Sequence, residues 1–366
     1  MNKKNKILIS GGGTGGHIYP AIAIAKSILK ANPDVEILFV GANGKMEMEK
    51  VPAAGFKIKG VDIIGFQRKL TIKNLLLPYY IFKSFIQVSK IIHEYKPDVV
   101  IGTGGYVSFP LLKMAQLKKI PTIIQEQNAF AGLTNKLIGK KANLICVAFD
   151  NMEKYFPKDK IIITGNPVRT DLISCQEKKA DGLNFFKFVN QKKTISVLGG
   201  SLGARTINEA IFNHIDFFEK NNIQLIWQTG KPFYIKAQEK VKNYSNIYCR
   251  DFIYEMDYVY AVSDYIISRA GASTIAELAV TLKPAILIPS PNVTNDHQTK
   301  NALALVNKNA ALMIQDNLAQ SQLIPTIQNL IDDSKLAESL STNIKYFANT
   351  GAADSIAKHA LKLIKQ

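Results

Sequence analysis

His17 closes the stretch GGGTGGH, in which five glycines fall within six residues. An imidazole can exchange a proton near neutral pH. A glycine-rich turn between a strand and a helix aims backbone N–H groups and a positive helix end at one spot, which suits a phosphate or diphosphate. The two features together would set a proton acceptor beside an anion. The β-branched run Ile7–Ser10 predicts the strand, and the apolar pattern up to Ala25 predicts the helix, with Pro20 in its first turn, where a missing N–H costs nothing. Gly11, Gly13 and Gly16 also fit the G-x-G-x-x-G fingerprint of a dinucleotide site. That reading needs an acid at the end of the second strand. The predicted strand Val35–Val40 ends in Gly41-Ala42-Asn43, and Glu36 lies at its other end, so NAD is disfavoured.

Further residues with chemical capacity follow predicted strands. Gly102–Ser108 (GTGGYVS) forms a second glycine turn, and Gln125-Glu126-Gln127-Asn128 closes another strand. In an open α/β sheet ligands sit outside the carboxyl ends of the strands, so His17, Gly104, Gly105, Glu126 and Asn128 should converge. Either His17 or Glu126 can serve as a general base. Farther along, Gly199–Ala204 repeats the glycine turn. Arg269–Glu277 (RAGASTIAE) offers Ser273 or Thr274 as a helix cap, with Glu277 either completing a capping box or accepting ribose hydroxyls. Asn295-Asp296-His297-Gln298 supplies polar groups suited to sugar hydroxyls. His297 has no second ligand at helical spacing, and no D-x-D follows a strand, so neither a metal nor a cofactor is indicated.

The elements that must position these residues alternate strand and helix twice over. The predicted strands of the first half are 7–10, 35–40, 98–102, 121–125, 144–148 and 161–164. Those of the second are 195–198, 223–228, 247–249, 265–268 and 285–289. Apolar, β-branched runs of this length fit buried parallel strands in a doubly wound α/β class. A chain of 366 residues exceeds one core's useful size. The break falls near Gly165-Asn166-Pro167, giving domains 1–165 and 166–352. Each domain opens with a strand, a glycine turn and a helix. The tail 353–364 carries an apolar helical stripe at Ile356, Ala357, Ala360 and Ile364.

Composition excludes several classes. The 47% apolar and 20% charged content is that of a globular protein. Cys146, Cys175 and Cys249 lack C-x-x-C spacing, which argues against zinc, a redox pair or an oxidising compartment. The run 7–25 holds five glycines and a proline and divides into strand and helix, so it is not a membrane span, and the N-terminus lacks a secretory signal. A net charge of +17 comes without a nucleic-acid motif. The segment 65–96 sets Arg68, Lys69, Lys73, Lys83, Lys90 and Lys96 around Leu75, Leu76, Leu77, Tyr79, Tyr80, Ile81, Phe82 and Phe85. Apolar residues ringed by base suit an anionic membrane surface; an ordinary core-facing helix is the alternative.

Taken in order, GGGTGGHIYPA (11–21), GTGGYVSFP (102–110), EQNAFAGLTNK (126–136), TGNPVR (164–169), LGGSLGAR (198–205), SRAGASTIAEL (268–278) and NDHQTKNA (295–302) resemble the MurG family, the N-acetylglucosaminyltransferases of bacterial peptidoglycan synthesis. The resemblance spans nearly the whole chain. It implies a GT-B architecture of two Rossmann-like domains, with the last helix (353–366) returning to the first. It implies inverting transfer of GlcNAc from UDP-GlcNAc to the MurNAc 4-hydroxyl of lipid I, the undecaprenyl-diphosphate acceptor, on the cytoplasmic face of the membrane. Cell-wall synthesis and division proteins would be its partners.

By the same resemblance Ser201 holds the UDP phosphates, Ile253 meets the uracil through its backbone, and Glu277 takes the ribose. Gln298 and Asn128 hold the GlcNAc. Thr14, Gly15, Gly16, Arg169, Ala272, Ser273 and Thr274 complete the donor site. Gly13, Gly104, Gly105 and Tyr106 receive the acceptor diphosphate. The segment with Leu75, Leu76, Tyr79, Tyr80, Phe82, Lys69, Lys73 and Lys83 meets the membrane. Gln125 stands where some members carry histidine, and Leu202 where many carry glutamine. The base stays open between His17 and Glu126.

Overall fold

A computed structural model describes residues 4–65, 76–200 and 202–364. Ser201, Lys69, Lys73 and Leu75 lie outside the described residues. The chain divides into two compact units, Met1–Val168 with Gly351–Gln366, and Arg169–Thr350.

The first unit is built on a parallel seven-stranded sheet: β1 (Lys6–Ser10), β2 (Glu36–Ala42), β3 (Lys57–Val61), β4 (Val99–Gly102), β5 (Thr122–Glu126), β6 (Leu144–Val147) and β7 (Ile161–Ile163). Their spatial order is 3-2-1-4-5-6-7. Ile7, Leu8, Ile9, Val100, Ile101 and Ile123 are fully buried, as expected where helices cover both faces of a parallel sheet. The strand order reverses between β1 and β4. Ser10 pairs with Gly102 there, so the turns that leave these two strands emerge side by side. The second unit repeats the plan with β8 (Thr194–Leu198), β9 (Gln224–Gln228), β10 (Ile247–Arg250), β11 (Tyr265–Ser268), β12 (Ala285–Leu287) and β13 (Leu312–Met313), ordered 10-9-8-11-12-13. Its reversal lies between β8 and β11, where Leu198 pairs with Ser268.

Two strands escape the sequence pattern. β3 (KIKGV) exposes its lysines at the sheet edge, and lysine is what an edge strand needs to resist further pairing. β13 is two residues long. Pro20 also departs from expectation. The helix begins at Gly15, because the Thr14 carbonyl already accepts from the His17 and Ile18 N–H groups at 3.1 and 3.2 Å. Pro20 is therefore the sixth helical residue, and His17 stands in the first turn.

The final helix, Ala352–Ile364, buries Ile356, Ala357 and Ala360 in one cluster with Ile18, Ala21, Ile24, Ala25 and Ile28 of the Gly15–Ala31 helix. The C-terminal residues thus complete the first unit's core. In the second unit Trp227 is fully buried, and its Nε1 donates to Asn208 Oδ1 at 3.0 Å. Asn208 Nδ2 in turn donates to the Thr229 carbonyl at 2.7 Å.

The helix Leu77–Tyr95 turns Ser84, Val88, Ile91 and Ile92 inward. Leu76, Tyr79, Phe82 and Ile86 point outward and are between 47% and 68% exposed. Tyr80 is half-buried against the Tyr79 ring. Asp62, just past β3, ties this helix to the sheet: it accepts from Lys83 Nζ at 2.8 Å, Gln87 Nε2 at 3.1 Å and Asn43 Nδ2 at 2.6 Å. Lys83 is therefore spent on an ion pair rather than standing clear beside the apolar stripe. These bonds, that from Lys83 first, hold the Asp62 carboxyl down to about 2, against 3.8 unperturbed. A carboxyl with a lower folded-state pKa stabilises in full above its unfolded value and loses that contribution as pH falls through the folded one. Asp62→Asn should melt below wild type at pH 7, with the gap closing between about pH 4 and about pH 2. Melting curves across that range check this, and a gap independent of pH would count against it.

Candidate functional site

The first-unit site forms where β1 and β4 part. A β-carbon on Gly105 would sit 2.3 Å from the Gly12 carbonyl oxygen, and Gly105 has φ +83°. Only glycine allows that approach. Gly12 N–H donates to the Gly104 carbonyl at 3.4 Å, which Ser108 Oγ also reaches at 2.7 Å. Thr103 Oγ1 donates to the His17 carbonyl at 2.8 Å. The two glycine turns are thereby one folded surface.

His17 Nδ1 lies 3.1 Å from the Gly12 carbonyl and 3.2 Å from Thr14 Oγ1. A carbonyl only accepts, so the neutral ring carries its proton on Nδ1 and its lone pair on Nε2. The Cδ2–Nε2 edge lies against Gly104, where a β-carbon would be 2.8 and 3.0 Å from these atoms. His17 and Gly104 therefore meet as expected.

Glu126 has a different setting. It is 1% exposed. Oε1 accepts from Asn128 N–H at 3.1 Å and Asn128 Nδ2 at 3.2 Å; Oε2 accepts from Gly132 N–H at 2.9 Å and Asn135 Nδ2 at 2.8 Å. Four donors saturate the carboxylate and fold the loop that follows β5. Asn128 is carried on that loop, half-buried, with its side-chain N–H given to Glu126.

The loop amides divide into two groups. Gly13 N–H donates to Glu47 Oε2 at 3.0 Å, and so is not open to an anion. The N–H groups of Thr14, Gly15 and Gly16 meet no acceptor among the described residues and sit at the helix end, where an anion is stabilised. Tyr106 is half-buried near Gly13, and burial raises its phenol pKa, with Glu47 a lesser cause. Glu47 itself escaped the sequence reading. Fully buried, it takes the Gly13 and Ala42 N–H groups, both at 3.0 Å. It is the acid beyond the second strand, five residues past the position where the dinucleotide pattern seeks one. Its carboxylate supports the glycine turn from beneath.

In the second unit the Gly199–Ala204 turn packs backbone on backbone against Thr229-Gly230: a β-carbon on Gly230 would lie 2.2 Å from Gly203 N. The helix Ala272–Thr281 has Gly271 as its N-cap, in extended conformation, and no side-chain cap. Ser273 and Thr274 therefore stand inside the first turn rather than capping it, and their N–H groups meet no acceptor among the described residues. Ala272 begins the helix. Glu277 does not form a capping box: its Oε2 accepts from Tyr260 OH at 3.0 Å. Tyr260 is fully buried, a partner the sequence pattern did not single out. Arg169 binds Asp171 through Nε at 3.1 Å and Nη2 at 2.5 Å, with Glu277 and Asp257 also in its field. Ile253 N–H donates to Gln228 Oε1 at 2.9 Å.

Gln298 accepts from Ser290 N–H at 2.8 Å. It lines a cavity of about 410 Å³ with Gly203, Ala204, Thr206, Arg269 and Asp316. Arg269 braces that cavity: it donates to the Ile288 carbonyl at 3.0 Å, to Thr206 Oγ1 at 3.0 Å and to Asp316. Among the described residues no three His, Cys, Asp or Glu side chains gather as a metal site.

Burial raises the Glu277 pKa, against the opposing effects of Tyr260 and Arg169. A carboxyl with a raised folded-state pKa costs the fold stability once pH exceeds its unfolded value. Glu277→Gln should therefore melt about 2 °C or more above wild type at pH 7. Calorimetry checks this, and a lower melting point at pH 7 would contradict the raised pKa.

The glycosyltransferase family 28 N-terminal domain matches residues 7–147, and the family's C-terminal domain matches residues 194–359. A UDP-N-acetylglucosamine--N-acetylmuramyl-(pentapeptide) pyrophosphoryl-undecaprenol N-acetylglucosamine transferase of Parabacteroides distasonis is 52% identical over 364 residues, covering 99% of each chain. The protein of the same name from Flavobacterium psychrophilum is 50% identical over 98% of each. Among solved structures, that of Acinetobacter baumannii MurG superposes with a TM-score of 0.79 at 28% identity, over 98% of this chain and 99% of that one.

Proposed function

The chain belongs to the MurG family of glycosyltransferases, and from that premise we propose that it transfers GlcNAc from UDP-GlcNAc to the MurNAc 4-hydroxyl of lipid I, giving lipid II. The observation that carries this reading is the full-length likeness, 52% identity over 99% of each chain, to a relative named for that one transfer. The two glycine turns at the two strand-order reversals suit it. One serves the diphosphate of the donor and the other that of the acceptor.

The transfer inverts. The 4-hydroxyl oxygen attacks C1 as the bond to the UDP oxygen breaks, and UDP departs with the electron pair. His17 Nε2 takes the hydroxyl proton, since the Gly12 carbonyl holds the ring's other proton on Nδ1. Glu126 is assigned to the loop, not to the proton: a carboxylate that already receives four donors has no lone pair to spare. Its part is to set Asn128 toward the GlcNAc, and Gln298 is likewise assigned to the sugar hydroxyls. Glu277 Oε1 takes the ribose, with Tyr260 steadying Oε2. The Ile253 carbonyl takes the uracil N–H. The free amides of Ser273 and Thr274 and the loop of Ser201 hold the diphosphate. Preorganised N–H donors of this kind contribute on the order of 3 kcal/mol each to a transition state that develops negative charge. Arg169 adds to this when it exchanges Asp171 for the leaving group.

No helix among the described residues is long and apolar enough to cross a membrane. The protein instead works as a peripheral protein on the cytoplasmic face of an anionic membrane, through Leu76, Tyr79, Tyr80 and Phe82, with Ile86 extending the stripe by one turn. Lys69 and Lys73 supply the charge, and cell-wall synthesis and division proteins are natural neighbours there.

Labelled UDP-GlcNAc with a short-chain lipid I analogue tests the reaction. Label in the disaccharide lipid is expected, and none with intact donor binding would overturn the assignment. His17→Asn should lower kcat by about 10²–10⁴-fold with little change in KM for UDP-GlcNAc; a wild-type kcat would remove His17 as the base. On vesicles containing phosphatidylglycerol, the triple variant Tyr79→Ser, Phe82→Ser, Ile86→Ser should no longer co-sediment, while its rate with a water-soluble acceptor analogue is kept. Unchanged co-sedimentation would rule out this surface.

A further inference from the structure

Glu47 is fully buried, and no step of the reading above uses it. Oε1 accepts from the Ala42 N–H and Oε2 from the Gly13 N–H, both at 3.0 Å. The Gly13 N–H belongs to the peptide that joins Gly12 to Gly13, and the carbonyl of that same peptide faces His17 Nδ1 at 3.1 Å. One peptide plane therefore stands between the carboxylate and the imidazole, with its donor on the first and its acceptor on the second. The packing is close on both sides. A β-carbon on Gly12 would sit 2.3 Å from Glu47 Oε1, and one on Gly105 would sit 2.3 Å from the Gly12 oxygen.

That plane decides which ring nitrogen is basic. Nδ1 has a second neighbour, Thr14 Oγ1 at 3.2 Å, but a hydroxyl both donates and accepts and so fits either tautomer. The Gly12 carbonyl only accepts, and it fixes the proton on Nδ1. The local backbone does not enforce this orientation. Turning the peptide over changes ψ of Gly12 and reverses φ of Gly13, now +84°, and glycine takes either sign at little cost. The turned peptide would present its N–H to Nδ1 and move the ring's proton to Nε2, which as the base must not carry it. It would also set a carbonyl oxygen against the Glu47 carboxylate.

We propose that Glu47 is a positioning residue for His17: through the Gly12–Gly13 peptide it holds the imidazole in the tautomer that accepts a proton at Nε2. This rests on His17 as the base. The carboxylate bars the turned peptide by repulsion and holds the working one by a charge-assisted hydrogen bond. The same plane also passes on the carboxylate's charge. An N–H held by an anion leaves its own carbonyl more negative, and so a better partner for Nδ1–H once the ring has become an imidazolium.

Other ionisable groups surround this turn. Tyr106 lies beside Gly13, Glu126 stands at the end of β5, and Tyr19 shares the helix of His17. Among the described residues Glu47 alone accepts from the Gly12–Gly13 peptide.

The test is Glu47→Gln in full-length protein carrying isotope-labelled histidine, read by NMR. Glutamine offers one acceptor and one NH₂ where two N–H groups point. Ala42 is fixed at the end of β2 by its pairing with β3, so the Gly12–Gly13 peptide is the one that turns. Neutral His17, assigned by the signal lost in His17→Asn, should carry its proton on Nδ1 in wild type and on Nε2 in the variant. The variant's kcat should fall about tenfold or more, with KM for UDP-GlcNAc kept within about twofold. In a His17→Asn background Glu47→Gln should add no further loss, whereas a role confined to the fold would lower kcat in both backgrounds. An unchanged tautomer in the folded variant, or an equal loss in the two backgrounds, overturns the proposal. Should Glu47→Gln fail to fold, the wild type decides. A proton on Nδ1 together with a slowly exchanging Gly13 amide supports the proposal, and a neutral ring protonated on Nε2 or a freely exchanging Gly13 amide overturns it. Wild-type turnover in His17→Asn would instead remove the base reading, whichever tautomer is seen.

Discussion

The first unit's site depends on a backbone approach that no side chain could permit. Gly105 lies so close to the Gly12 carbonyl that a β-carbon would collide with it. This contact merges the turns after β1 and β4 into one surface. It turns the Gly12 carbonyl to His17 Nδ1, and so decides which imidazole nitrogen is basic. It leaves Gly13 N–H facing Glu47. A parallel sheet brings its first and fourth strands together at their carboxyl ends, but only a pair of glycine turns lets the loops beyond them share one backbone. In the second unit a comparable close approach, Gly203 on Gly230, joins the turns after β8 and β9 instead.

Carboxylates near these turns follow one logic. Glu47 and Glu126 are both buried, and both are satisfied by N–H groups rather than by cations. A carboxylate held this way fixes a loop without drawing an arginine or lysine into the turn. Glu277 differs. One oxygen is held by Tyr260 and burial raises its pKa, so its ionised form costs the fold stability.

Much of this was legible in the sequence, for physical reasons that can be named. Runs such as Ile7–Ser10 and Tyr265–Ser268 read as strands because burial on both faces demands unbroken apolar, β-branched side chains. The glycine turns stand out because the glycines cluster directly after predicted strands. What stayed hidden depends on contacts far apart in sequence. Lys57–Val61 looks polar until its edge position is known. Ser273 and Thr274 resemble caps, but Gly271 takes that place. The four donors on Glu126 stay unseen until Asn135, nine residues on, turns back to bind it. Lys83 looks like membrane charge, yet Asp62 claims it across 21 residues of chain. Glu47 and Tyr260 have no local pattern at all.

The helix Ala352–Ile364 carries one more consequence. Its Ile356, Ala357 and Ala360 belong to the same buried cluster as the Gly15–Ala31 helix, although the whole of Arg169–Thr350 lies between them in the chain. A ribosome delivers the seven strands of the first sheet early and this helix last. The second unit is thus fully synthesised, and free to fold, while the first still exposes the apolar groove that its last helix will fill. During synthesis, the unit that begins first is the one that finishes last.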